Sequence, residues 1–223
     1  MAELLTAITS ALKASQPGLP EQQVIMGAAM RVFGGDWTPF DQCREQLKEH
    51  IVKECDGEAT PEAMKALADK WADSALAALS EDANLAMLFA SEVKDDLPPE
   101  QPGVLGLLQA ALKKHLPITL NVIANHGADS ATQPFSAALK AAETELVGEL
   151  FEGVTAICTN GQAGLSAILR GLSGQGSQIV MAKYPQHAQA AMFGIPMAIN
   201  MMNQMHAQYR TDKGLAPAGA PAA

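Results

Sequence analysis

Apolar residues recur every three or four positions through residues 1–152, with polar punctuation between the runs, so this stretch reads as consecutive amphipathic helices. Leu4, Leu5, Ile8 and Leu12 form a stripe before Gln16-Pro17-Gly18, and Ile25, Ala29, Val32 and Phe33 form another before Gly34-Gly35. Thr38-Pro39-Phe40-Asp41 then supplies an N-cap, a proline at the first helical position and a carboxylate at the third, with Trp37 placed to staple the start. The helix that follows carries Phe40, Cys43, Leu47, Ile51 and Cys55 on one face and ends at Asp56-Gly57.

Thr60-Pro61-Glu62 repeats the start signal ahead of Met64, Leu67, Ala68, Trp71, Ala75 and Ala78, and Ser80-Glu81-Asp82 precedes a helix with Leu85, Leu88 and Phe89. Residues 95–103, rich in Pro and Asp, read as an exposed connector and an internal boundary. Beyond it the pattern predicts a helix from Val104 to His115 closed by Leu116-Pro117, a short helix from Pro117 to Asn125, and a helix from Pro134 with Phe135, Leu139, Ala142, Leu146 and Leu150 inward. About eight helices and almost no β-branched alternation predict an all-α multi-helix bundle.

From Gly153 the pattern loosens. Ala163–Leu172 reads as helix, Ser173-Gly174-Gln175-Gly176-Ser177 as a flexible loop, and Ile179-Val180-Met181 fits a short strand or a helix start equally. Tyr184 to Tyr209 is a run of 26 residues without a formal charge, in which Gly194 and Pro196 should kink any helix. The expected organisation is therefore an acidic helical body at 1–152, a charge-poor, Gly- and Met-rich helical region at 153–213, and a flexible Ala/Pro tail at 214–223.

Charge sharpens that division. Of the 39 Asp, Glu, Lys and Arg residues only five lie in 153–223, whereas nine of the 18 glycines and six of the 11 methionines do. The acidic body, with no basic stripe, excludes direct nucleic-acid binding from the expected functions, and an excess of acid serves solubility or a basic protein partner. Cys43, Cys55 and Cys158 are an odd, widely spaced set, which fits a reducing compartment, and the first residues lack the basic and apolar runs of a secretory signal. The expected location is the cytoplasm or an assembled particle.

Candidate chemistry is sparse. Cys158 precedes Thr159-Asn160-Gly161 and a helix start, where a dipole can lower a thiol pKa, but no histidine is linked to it by spacing. Glu145, Glu149 and Glu152 share one helix face, yet the Glu-x-x-His partner of a carboxylate metal site is missing, and a solvated face is expected instead. Cys43, His50 and Cys55 do not converge as zinc ligands. The glycines from Gly171 to Gly176 lack the register of a phosphate loop, and Ser166 and Ser173 each lack a glycine of a nucleophile elbow.

The expectation is accordingly a non-enzymatic structural or assembly protein, of a virion or another multi-subunit complex, with no catalytic, metal or cofactor site. It should form a homo-oligomer through Met192, Phe193, Ile195, Met197, Ile199, Met201, Met202 and Met205, since methionine-rich surfaces repack readily against partners. Two alternatives stand beside it: a membrane-active or translocated protein whose C-terminal segment contacts a bilayer, and an acidic inhibitor or adaptor that binds a basic protein partner.

Overall fold

The computed structural model describes residues 2–127, 133–183 and 188–216, and among these the chain is all-α. Its helices are α1 (Ala2–Ala14), α2 (Glu21–Phe33), α3 (Pro39–Gln42), α4 (Arg44–Glu54), α5 (Pro61–Ser80), α6 (Ala83–Glu92), α7 (Val104–Asn125), α8 (Phe135–Ile157), α9 (Gln162–Lys183) and α10 (Ala188–Asp212). Two compact units share them. Unit one comprises residues 1–70 and 113–143, unit two residues 71–112 and 144–223, so α5, α7 and α8 each contribute to both.

Several starts and stops form as the local chemistry dictates. Thr60 Oγ1 accepts from the Ala63 amide at 3.1 Å, and Asp82 Oδ1 accepts from the Asn84 and Leu85 amides at 2.9 and 3.0 Å, each satisfying donors that a helix leaves orphaned. Asp56 and Gly57 both take positive φ, and the Gly57 amide closes back on Val52 O at 2.9 Å to end α4. The 38–41 turn is built differently from its sequence pattern. Thr38 makes no side-chain cap; its hydroxyl donates to Asp36 Oδ1 at 2.6 Å while Arg31 holds the other oxygen of Asp36. Asp41 instead caps α8, accepting from the Ser136 amide and hydroxyl at 2.8 and 2.7 Å. The single helix expected over 40–55 is broken at Cys43 into α3 and α4.

In unit one Leu12, Val24, Ala28 and Cys43 form a core on which Ile8, Ala11 and Leu47 pack. α2 is rotated from its expected face: Val24 and Ala28 are buried, whereas Ile25 is exposed. Both sides of α2 are apolar, and the smaller side chain of Ala28 admits the closer approach to α1. In unit two Leu85 and Phe89 of α6, Phe151 and Val154 of α8, and Leu165, Ile168 and Leu169 of α9 are buried. An isolated antiparallel bridge between Val93 and Cys158 ties the end of α6 to the end of α8, with Lys94 N donating to Ile157 O at 3.0 Å and Thr159 N to Glu92 O at 2.9 Å.

Two breaks expected from sequence are absorbed into helices. α7 runs through Pro117, where burial of His115 and Thr119 beside the proline and of Leu120 and Ala124 after it holds the helix across one lost hydrogen bond. α9 runs through Gly171, Gly174 and Gly176, so the loop expected at 173–177 is helical, as are Ile179, Val180 and Met181. The flexible tail expected at 214–223 lies outside the described residues from position 217 onward.

Candidate functional site

The charge-poor region folds as a helical hairpin within unit two. Four residues separate α9 from α10, which makes the pair antiparallel, and a β-carbon on Gly176 would lie 3.6 Å from Ile195 Cδ1. α10 continues through Gly194 and Pro196. Met181 near the end of α9 and Met192 and Phe193 near the start of α10 all fall on the connector side of the Gly176–Ile195 contact, and all three are exposed, Met192 by 55% and Phe193 by 64%. Pro196 is exposed with them, while farther along α10 the exposed positions become Asn200, Asn203, Gln204 and Gln208. The large apolar side chains that α9 and α10 expose, among the described residues, thus lie towards the hairpin tip.

The other expected interface residues face inward to different degrees. Ile195, Met197, Ile199, Met201 and Met202 are half-buried and Met205 is buried, so six of the eight help seat the helix, and Met192 and Phe193 alone of the set are exposed. Tyr184–His187, the start of the charge-free run, lie outside the described residues.

At its far end α10 meets α8 through a polar cluster. His206, only 1% exposed, places Nε2 2.6 Å from Glu152 Oε1, and Arg210 pairs with the same carboxylate oxygen. The edge of the His206 ring packs on Phe151, centroids 5.4 Å apart. One turn on, Tyr209 lies so close to Gly148 that a β-carbon there would sit 2.1 Å from Tyr209 Cγ. Lys213 Nζ reaches Glu145 Oε1 at 2.9 Å and lies 5.3 Å from the centre of the Tyr209 ring. Arg210 Nε also donates to Ala216 O at 2.6 Å.

Burial pulls the Glu152 carboxyl upward, but the hydrogen bonds and charges of His206 and Arg210 outweigh it and hold the group below its ordinary value. The Glu145–Glu149–Glu152 face, expected to be solvated, therefore receives the C-terminal end of α10. Its signal is visible in retrospect: acids at 145, 149 and 152 and His206, Arg210 and Lys213 each span two helical turns on one face.

Cys43, Cys55 and Cys158 are free and buried. Burial, then the charge of Glu92, pushes the Cys158 thiol up, the reverse of the activation that its place before a helix suggests. In unit one a concavity of about 320 Å3 is lined by Asp41, Arg44, Glu45, Gln46, His126 and Phe135 among others. Asp41 there is the cap of α8 and Arg44 donates to Glu45 at 2.9 Å. Among the described residues no group of His, Cys, Asp and Glu is disposed to hold a metal ion, and no helix is long and apolar enough to cross a membrane. No protein-family model matches the chain, nor does any curated protein or solved structure.

Proposed function

We propose that the protein is a non-enzymatic assembly component that associates with copies of itself through the tip of the α9–α10 hairpin. The observation that carries this reading is the exposure of Met181, Met192 and Phe193 at one end of a charge-poor hairpin whose other end is fixed by ion pairs. Large apolar side chains left in water beside adaptable methionines favour a surface that is covered in the working state. The three unpaired cysteines support a reducing, cytoplasmic setting or a particle assembled there.

The test is light scattering after size exclusion on the whole chain and on a Met192→Asp, Phe193→Asp double variant. Both side chains point to solvent, so the fold should persist while the assembly falls to monomer, and an unchanged mass would overturn the reading. Aspartates at Ile195 or Met201 would be less informative, because those residues are half-buried.

A second reading rests on the absence of formal charge from Tyr184 to Tyr209: the same tip lies in a bilayer interface. Liposome flotation distinguishes the two, since binding that is lost in the double variant, without any change of mass in solution, selects the membrane.

A further inference from the structure

We infer that Glu152, His206 and Arg210 form a latch that sets how much of α10 is available for association, an inference that rests on the assembly reading above and adds its regulation. A stable protein interface covers roughly 800 Å2 on each partner, from about 20 residues or more. Met181, Met192 and Phe193 are too few to supply that surface. The remaining apolar side chains of α10 from Ile195 to Met205, Pro196 apart, are half-buried or buried while the helix is seated. Its hold on α8 joins the ring contacts of Tyr209 with Gly148 and of His206 with Phe151 to a polar cluster. Among the residues of α10 whose burial is described only Met205 and His206 are fully buried, and His206 is satisfied by one carboxylate oxygen that Arg210 shares.

Such an arrangement opens as a unit. Loss of the Glu152 carboxylate leaves the imidazole of His206 in the interior without its hydrogen-bond partner and the guanidinium of Arg210 beside it without its counter-charge, and an uncompensated buried polar group costs more than its partner contributes when present. Unseating the helix rehydrates both groups. The same movement exposes the Ile195–Met205 face and extends the tip patch along α10. The tail joins the latch through Arg210 Nε and Ala216 O, so a partner that draws the tail away also loosens Arg210.

The test is hydrogen exchange followed by mass spectrometry, together with light scattering, on the wild-type chain, Glu152→Gln, Arg210→Gln and the double variant. Exchange across residues 188–212 should quicken at least tenfold in each single variant, the double variant should add little, and protection of α1–α4 should stay as in the wild type. A rise in mass beside that change supports both the latch and the assembly reading. Faster exchange at unchanged mass supports the latch and overturns assembly through α10. Unchanged exchange over 188–212 overturns the latch whatever the mass does. A loss of protection in α1–α4 to the same degree as in α10 also overturns it, because Glu152 would then hold the whole molecule rather than one helix.

Discussion

Gly148 and Gly171 carry no backbone requirement for glycine, since both lie inside helices, yet each is closely approached. A β-carbon at 148 would meet Cγ of Tyr209, where the ring joins its stem and cannot swing clear, whereas one at 171 would meet Cδ2 of Leu88 at 2.3 Å, the free end of a flexible side chain. Gly148→Ala should therefore destabilise the chain by about 2 kcal/mol, the usual scale of overpacking, and Gly171→Ala by less. The penalty at 148 should largely vanish in a Tyr209→Ala background, measured as the difference in urea midpoint between paired variants. An equal penalty in both backgrounds would mean that the ring is not what excludes the methyl group.

Helix boundaries divide into those set locally and those set by packing. Thr60, Asp82 and Asp56-Gly57 act through their own neighbours, and the sequence read alone places them correctly. Pro117 and the α9 glycines are breakers by local rules, but Leu120, Ala124 and Ile168 are buried beside them, and packing outweighs propensities of about 1 kcal/mol per glycine. The latch was hidden for the same reason. It pairs residues more than fifty positions apart, and local rules say nothing of which helices meet. The exposed tip was legible as a methionine-rich, charge-free run, though not which of its side chains stay in water. One position in α9 tests the balance between propensity and packing: nothing lies within 4 Å of a β-carbon at Gly174, so Gly174→Ala should raise stability by about 0.5–1 kcal/mol in thermal melts. A destabilising result would show that α9 needs a flexible point there.

The two units should answer acid differently. Glu152, held below its ordinary value of 4.5, contributes to unit two above that pH, and the contribution fades as pH falls through its lower folded value. In unit one Asp36 is lowered to about 2, first by the Thr38 hydroxyl and then by Arg31, so its contribution persists until pH drops between 3.8 and 2. Glu143, pushed up by burial against the hydrogen bond from Thr119, acts in the opposite sense: it favours the folded unit one most below 4.5 and costs stability as pH rises through its raised folded value. Trp37 lies in unit one and Trp71 in unit two, and each can be followed after replacing the other with Phe. On acidification the Trp71 signal should change at the higher pH; coincident transitions would show that the units unfold together.

The interleaving of the two units bears on how the chain is made. Residues 1–70 are completed by 113–143, and residues 71–112 by 144–223, so unit one lacks parts until residue 143 is made and unit two for longer still. α6, which packs on α9, waits with Leu85 and Phe89 uncovered while some 70 further residues are added. During that interval the nascent chain carries unsheltered oil-like surface at Leu85 and Phe89 that the finished molecule hides.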